Sequence, residues 1–170
     1  MKKMLDTDRL DRELLIAAVS RHVPALQHDA LNYVIDCSRF LPRKLPYEEG
    51  VHTGCHPAIF NRVVRHDDFS EHLLAIRSRL TDDMEMSRTS VSVMLCDDAG
   101  RHGSMSVAKA LAECIVFDSR IALGTVHILA DQHAESCCGV CACCEFWTRR
   151  WSARNVGVKH VRQLWNGPDE

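Results

Sequence analysis

The C-terminal third of the chain carries a cysteine cluster with the spacing of a metal site. Five of the nine cysteines lie within residues 137–144. Two residues separate Cys138 from Cys141, and two separate Cys141 from Cys144, which lets neighbouring thiolates bind one metal ion. Structural zinc takes four cysteine or histidine ligands, and His133 lies close enough in sequence to be the fourth. The predicted cofactor is therefore zinc in a closed site with a structural role.

The sequence leaves open which residue is the fourth zinc ligand and whether the cluster binds zinc at all. His127, Cys137 and Cys143 are equally placed to replace His133 as the fourth ligand. The same cysteines also suit an iron–sulfur cluster, a redox Cys-x-x-Cys pair or buried thiols without metal. Zinc is favoured because clustered cysteines in a reducing compartment are typical of metal binding rather than of disulfides.

A second candidate site is the loop over residues 96–104, CDDAGRHGS, which follows an apolar segment. Its glycines allow the backbone to approach a ligand closely. The free amides at the start of the following helix attract an anion. We predict a phosphate-binding turn formed by Gly100, Arg101, His102 and Ser104.

Two alternatives compete with the phosphate-binding turn. The simpler one is an ordinary strand–helix connection in which Ser104 is the N-cap. The other is a cysteine-dependent phosphatase using Cys96, which needs a thiolate of low pKa and an arginine clamp. Asp97 and Asp98 place negative charge at the mouth of the loop, which suits a cation or a sugar hydroxyl better than a bare anion.

A third candidate is the C-terminal segment 147–165, in which tryptophans alternate with basic residues. Such a composition suits an RNA-binding module that holds phosphates and stacks bases. The favoured alternative is an amphipathic helix that covers the sheet edge, since Trp147 and Trp151 are four residues apart and share a helical face.

The pattern around these sites predicts an α/β fold. Helical periodicity follows Pro57 and recurs over residues 104–117, and part of the segment 146–165 is also predicted to be helical. Short apolar segments predict strands over residues 31–37, 90–96 and 121–130. The alternation predicts a single domain with a parallel sheet, helices on both faces and a zinc-stapled C-terminal segment. Right-handed crossovers place the loops after Cys37 and Cys96 at the carboxyl edge of the sheet, where ligands bind.

The domain boundaries follow from the same periodicity. Residues 1–29 are predicted to be an N-terminal helical lead, because apolar residues recur there at helical spacing. Residues 30–170 are predicted to form the α/β domain, which includes the cysteine-rich metal segment 127–144.

Length and charge restrict the class of protein. The chain has 170 residues and a formal net charge of −2. This length corresponds to about one domain, and the charge excludes a globally basic nucleic-acid binder. No apolar run is long enough to cross a bilayer, and the charged start is unlike a secretory signal. A cytoplasmic protein without a membrane partner is expected, while the sequence leaves its oligomeric state open.

Three segments, in order, resemble the RapZ C-terminal domain family, found in a bacterial RNase adapter protein. Residues 35–42, IDCSRFLP, are similar to that family's first strand and its Asp-x-Arg-Phe-x-x-Pro loop. Residues 53–57, TGCHP, are similar to its Thr-Gly-x-x-Pro element. Residues 100–104, GRHGS, are similar to the end of its Cys-x-x-Gly-Lys/Arg-His-Arg-Ser-Val loop. The resemblance covers roughly residues 31–130.

The resemblance implies a ligand-sensing or adapter domain that binds a phosphorylated small molecule, in that family an amino-sugar phosphate. It implies that Arg39, Thr53 and Gly54 complete the ligand site opposite the loop 100–104. A Cys-Gly-x-Cys-x-x-Cys segment in eukaryotic relatives supports the set Cys138, Cys141 and Cys144 as zinc ligands. The sequence departs from the family at Gly103, which stands in place of an arginine, and at one additional residue before Gly100. Both departures count against phosphatase activity.

Overall fold

The computed structural model describes residues 13–22, 33–41, 45, 50–85, 90–118, 121, 125–130 and 156–167. These residues form a four-stranded sheet and four helices. The strands are β1 (Glu13–Ser20), β2 (Tyr33–Asp36), β3 (Ser90–Asp97) and β4 (Thr125–Ala130). The helices are α1 (Pro57–Val64), α2 (Phe69–Glu85), α3 (Gly103–Ile115) and α4 (Val156–Asn166). A short 3-10 turn, Ser38–Phe40, follows β2.

The sheet has the strand order β2-β3-β1-β4 and is parallel throughout. The predicted α/β class and parallel sheet are confirmed. In this strand order, the connection from β1 to β2 runs towards one edge of the sheet, and the connection from β3 to β4 runs towards the opposite edge. The direction of winding therefore changes between the neighbouring strands β1 and β3. In open α/β sheets, a ligand crevice lies at the carboxyl ends of the strands at such a point.

The prediction of a helical lead over residues 1–29 is wrong for residues 13–20, which form the central strand β1. Leu14, Ile16 and Ala18 are fully buried on one face of the sheet, and Ala17 is buried on the other. A strand buried on both faces is an almost continuous apolar run, which also satisfies helical periodicity. The sequence of β1 is therefore ambiguous when it is considered alone. Residues 1–12 and 23–29 lie outside the described residues.

One face of the sheet packs against all the described helices. Leu14 and Ile16 of β1 and Val93 of β3 share a buried apolar cluster with all four helices. The residues that the helices contribute include Phe60, Leu73, Leu111 and Trp165. Ala17 and Met94 on the opposite face are also buried but lie outside that cluster. Helices on the second face remain a prediction, since no described helix packs there.

The predicted helix and strand positions agree with the structure at the elements that flank the site. Helix α1 begins at Pro57, and the His56 side chain is its N-cap, accepting a hydrogen bond from the Ala58 amide. The predicted strand 90–96 and helix 104–117 correspond to β3 and α3. Among the described helices, none has the length and apolar character needed to cross a membrane.

Candidate functional site

Three loops meet at the carboxyl edge of the sheet, and the Arg21 side chain joins them. Its guanidinium donates to Asp98 of the loop after β3 at 2.7 Å. It also donates to Asp36 at 3.0 Å and to the Ser38 hydroxyl at 2.6 Å, both near the end of β2. A hydrogen bond from the Ser38 hydroxyl, aided by the charge of Arg21, lowers the pKa of Asp36 below its ordinary value. This ion-pair network fixes the relative positions of the loops after β1, β2 and β3.

A polar cleft opens between these loops, with a volume of about 890 Å³. Two arginines, two aspartates, a serine and a histidine provide its polar groups, and two leucines provide most of its apolar surface. The lining residues are Arg21, Ser38, Arg39, Leu41, Leu45, Gly50, Asp97, Asp98, Ala99 and His102. The cleft lies beside the ends of β1 and β3, where the direction of winding changes. Its position and size suit a small polar molecule.

The backbone amides at the start of α3 are occupied by the buried carboxylate of Asp97. Its Oδ2 accepts from the Ser104 amide at 2.7 Å, from the Ser104 hydroxyl at 3.0 Å and from the His102 amide at 3.2 Å. Its Oδ1 accepts from the amides of Ala99 and Gly100. Asp97 is only 5% exposed. The anion that these amides attract is therefore a side chain of the protein itself.

This finding changes the roles predicted for the loop. The N-cap of α3 is His102, whose side chain makes no capping hydrogen bond, and Asp97 replaces it by accepting from the Ser104 amide. Ser104 is fully buried inside the helix, so its predicted role as N-cap is wrong. Gly100 and Ser104 do not line the cleft. A phosphate that bound through these amides would first have to displace the Asp97 carboxylate.

Two glycines of this loop are required by close backbone contacts. Gly100 has a φ of +67°, and a Cβ there would lie 2.2 Å from the Ser20 amide nitrogen. A Cβ at Gly103 would lie 2.7 Å from the Cys37 carbonyl oxygen. The position at which the resembling family has an arginine is therefore packed against the backbone after β2. An arginine at residue 103 would require this contact to open.

Thr53 and Gly54, which the resemblance places in the ligand site, lie against the loop rather than in the cleft. Thr53 is fully buried. The Gly54 amide donates to the Arg101 carbonyl at 2.7 Å, and the Ser106 hydroxyl donates to the Gly54 carbonyl at 3.0 Å. The predicted proximity of the two loops is present in the structure. Gly54 therefore joins the loops, and neither Thr53 nor Gly54 lines the cleft.

Arg39 and His102 are the predicted site residues that line the cleft. Arg39 is exposed on the 3-10 turn and donates to the His72 ring at 3.0 Å. Within the described part of the chain, no carboxylate forms an ion pair with Arg39. Burial lowers the pKa of His102, whose Nε2 lies 3.3 Å from the Gly50 carbonyl oxygen. His102 is thus a neutral hydrogen-bonding group near pH 7.

Arg101 has a structural role in the described contacts. Its guanidinium donates to the carbonyl oxygens of Val51 at 3.0 Å and His52 at 3.2 Å. Arg101 does not line the cleft. It ties the loop after β3 to the segment that precedes α1.

The environment of Cys96 is unfavourable for a thiolate nucleophile. Burial, followed by the charge of the neighbouring Asp36, raises the pKa of the Cys96 thiol. The Sγ donates to the Ile35 carbonyl at 3.5 Å, and Cys96 does not line the cleft. A cysteine-dependent phosphatase requires the opposite shift of this pKa.

The predicted zinc ligands His133, Cys138, Cys141 and Cys144 lie outside the described residues, as do Cys137 and Cys143. The alternative ligand His127 is exposed on β4, on the face that the described helices do not cover. Among the residues that the structure describes, no group of three or more potential ligands could hold a metal ion. Zinc binding therefore remains a prediction from the sequence.

The described part of the basic and aromatic C-terminal segment packs against the domain. Trp165 is buried, and its indole nitrogen donates to Asp118 at 2.7 Å. Arg162 pairs with Glu113 at 2.6 Å and lies over the Phe117 ring. These contacts agree with an amphipathic helix, but it packs mainly against α1, α2 and α3 rather than along the sheet edge that the sequence predicted. Trp147 and Trp151 lie outside the described residues.

Arg21 and Ser38 are cleft residues that the sequence did not reveal. Arg21 falls within the segment predicted to be a helical lead, so nothing in the sequence places it after a central strand. Ser38 has no signal other than its position in the segment that resembles the RapZ family. The charges of Asp97 and Asp98 are evident from the sequence, but the burial of Asp97 depends on the tertiary contacts of the loop.

Comparisons with protein-family models, with curated proteins and with solved structures found no match to this chain. The class of protein is defined by the fold and the cleft. It is an α/β protein with a parallel sheet and a polar cleft at the carboxyl edge of that sheet.

Proposed function

We propose that this protein is a ligand-sensing or adapter domain that binds a phosphorylated small molecule in the carboxyl-edge cleft. The observation that carries the proposal is Arg39, an exposed arginine without a described carboxylate partner, on the wall of the 890 Å³ cleft. An arginine fork matches the geometry of phosphate oxygens and binds them with two charge-assisted hydrogen bonds. Arg39 is therefore the group expected to meet the phosphate.

The remaining polar groups of the cleft suit the uncharged part of such a ligand. The Asp98 carboxylate and the Ser38 hydroxyl accept hydrogen bonds, which sugar hydroxyls donate. Neutral His102 offers a hydrogen bond without a further charge. Since Asp97 already occupies the loop amides, the phosphate is assigned to the arginine rather than to the start of α3. This assignment differs from the turn predicted from the sequence.

The cleft favours binding over phosphoryl-transfer chemistry. Cys96, the nucleophile of the enzymatic alternative, lies outside the cleft lining and has a raised pKa. Arg101, the other candidate for a phosphate clamp, is held by backbone carbonyls. Among the described residues, a bound phosphate ester would meet hydrogen-bonding groups of the cleft but no activated thiolate.

The test is a calorimetric titration with glucosamine 6-phosphate, with unphosphorylated glucosamine and inorganic phosphate as comparison ligands. The sugar phosphate is expected to bind more tightly than either comparison ligand. Arg39→Ala is expected to weaken binding about 10- to 100-fold, because a charge-assisted hydrogen bond contributes about 1.5–3 kcal/mol.

Arg65→Ala is the matched control, since Arg65 is an exposed arginine outside the cleft lining. Its affinity for the sugar phosphate should equal that of the wild type. Equal affinities of all three proteins, or tighter binding of glucosamine than of its phosphate, would contradict the proposed site.

A further inference from the structure

A second groove, which has Arg39 in common with the cleft, runs between strand β2 and helix α2. It has a volume of about 320 Å³. The strand side is lined by Tyr33, Val34, Ile35, Asp36 and Arg39, and the helix side by His72, Ala75, Ile76 and Arg79. An extended peptide that adds to a sheet lies along the outer strand, which is the arrangement of this groove beside β2.

The strand side of this groove offers backbone hydrogen-bonding groups. Strand β2 ends the described sheet order and pairs with β3 alone. The Cys37 amide donates to the Cys96 carbonyl, so in a parallel ladder the amides and carbonyls of Val34 and Asp36 point away from β3. No strand in the described part of the chain pairs with this outer edge. The Val34 side chain is 60% exposed beside it.

The helix side of the groove carries an arginine without a described acidic partner. The Arg79 guanidinium lies over the Tyr33 ring, 5.5 Å from its centroid. Arg79 is exposed and forms no ion pair with any carboxylate of the described residues. Ala75 and Ile76 provide an apolar floor beside it. The charge of this wall therefore complements an acidic side chain on whatever strand occupies the groove.

We infer that this groove binds an extended acidic peptide segment of a partner protein, which adds to the free edge of β2. The peptide backbone pairs with the outward groups of Val34 and Asp36. An Asp or Glu side chain of the peptide pairs with Arg79, and apolar side chains at alternate positions contact Ala75 and Ile76. The groove shares Arg39 with the sugar-phosphate cleft, whereas Arg79 lines the groove alone, so a change at Arg79 tests the groove without altering the cleft lining.

The test uses an array of synthetic heptapeptides with valine at positions 2 and 4 and random residues elsewhere, so that an acidic residue at position 6 faces the same wall as the valines. Acidic peptides are expected to be enriched on the wild-type protein. The best peptide is then measured by fluorescence anisotropy. Arg79→Ala is expected to raise its Kd about tenfold, as is typical of a lost charge-assisted hydrogen bond. Arg65→Ala, the control for charge, should leave the Kd unchanged.

Two further changes test the backbone pairing. Val34→Pro removes one outward amide but keeps the ladder to β3, since proline is tolerated on a sheet edge. It should also raise the Kd about tenfold, with an unchanged circular dichroism spectrum. The peptide is also N-methylated either at its odd-numbered or at its even-numbered residues. Only one of these two sets of amides faces β2, so only one of the two modified peptides should lose binding. This change leaves the protein itself unaltered.

Several results would overturn the inference. The inference is wrong if the protein binds no peptide of the array, if basic peptides are enriched, or if the Kd responds neither to Arg79→Ala nor to N-methylation. A sedimentation velocity experiment can reveal one further contradicting result. A wild-type dimer that Val34→Pro dissociates would show that a second copy of this chain occupies the edge instead of a partner peptide.

Discussion

At the scale of single residues, the loop after β3 is organised by one buried carboxylate. Asp97 accepts hydrogen bonds from four backbone amides and one hydroxyl, and these groups would otherwise be left without partners at a buried helix start. The loop sequence resembles a phosphate cradle because an internal carboxylate and an external phosphate require the same backbone geometry. The sequence could not show which of the two anions is present.

Asp97→Asn should destabilise the fold strongly. An asparagine has one acceptor oxygen in place of two, and its NH₂ group would face amides that also donate. The expected loss in the free energy of unfolding is about 2–3 kcal/mol. Urea denaturation measures it.

Asp98→Asn is the neighbouring control for the loss of a carboxylate. Asp98 is 68% exposed, and its ion pair with Arg21 lies at the surface. Its loss should cost less than about 1 kcal/mol. Equal losses from the two variants would contradict the central role of Asp97 in the loop.

His102 should make the fold less stable in mild acid. Burial lowers its pKa in the folded state below the ordinary value of about 6.5. The unfolded chain therefore binds the proton more readily, so this contribution to stability is lost as the pH falls from about 6.5 through the folded pKa.

The measurement is urea denaturation of the wild type and His102→Asn at pH 7.5 and pH 5.5. The wild type should lose more stability than the variant over this interval. A larger loss in the variant would mean that His102 binds its proton more readily in the folded protein than in the unfolded chain, which is the opposite of a pKa lowered by burial.

At the scale of elements, the strand β1 decides the arrangement of the sheet. It lies between β3 and β4, and its end brings Arg21 to the cleft. Ile16→Ala should cost about 2–4 kcal/mol of unfolding free energy, because it leaves a cavity in the core. Urea denaturation again provides the measurement.

Leu129→Ala on the adjacent strand β4 is the control, since that side chain is 51% exposed. It should cost less than about 1 kcal/mol. A cost for Ile16→Ala as small as that of Leu129→Ala would favour a dispensable N-terminal segment over a central strand.

The cysteine cluster is an element that the sequence alone predicts. Its thiolate and imidazole donors are those of structural zinc sites. The protein should contain one zinc per chain by elemental mass spectrometry. Cys141→Ser should lose the metal together with thermal stability, because binding of a structural metal contributes to folding. Cys55→Ser, outside the cluster, should retain the metal. A metal-free wild type, or iron in place of zinc, would contradict the prediction.

Helices and strands were predicted correctly where the local sequence pattern allows only one secondary structure. Pro57 marks the start of α1, and the apolar segment before Cys96 is the buried strand β3. The prediction from the sequence failed at β1, where an apolar run fits two periodicities and only the neighbouring strands decide between them. It also placed Thr53, Gly54 and Ser104 in the ligand site. In the structure Thr53 and Ser104 are fully buried, the Ser104 hydroxyl donates to Asp97, and Gly54 joins the two loops through its backbone.

At the scale of the whole molecule, the cleft follows from the topology of the sheet. Loops from β1, β2 and β3 come together because three neighbouring parallel strands end at one edge. Arg21 fixes these loops through its pairs with Asp36 and Asp98, which leaves Arg39 as the arginine of the cleft without a described carboxylate partner. The proposed ligand site at this edge therefore depends on the topology of the sheet and on two arginines rather than on a signature motif.

Binding of a sugar phosphate in this cleft is the proposal on which the function depends, and an NMR titration can detect it. Glucosamine 6-phosphate is added to the ¹⁵N-labelled protein, and the amide shifts are followed. We expect shifts that saturate, with little change in α4, and that concentrate at the cleft-lining residues Arg21, Ser38, Arg39, Gly50, Ala99 and His102. Shifts confined to α4, or none at millimolar ligand, would contradict the proposal.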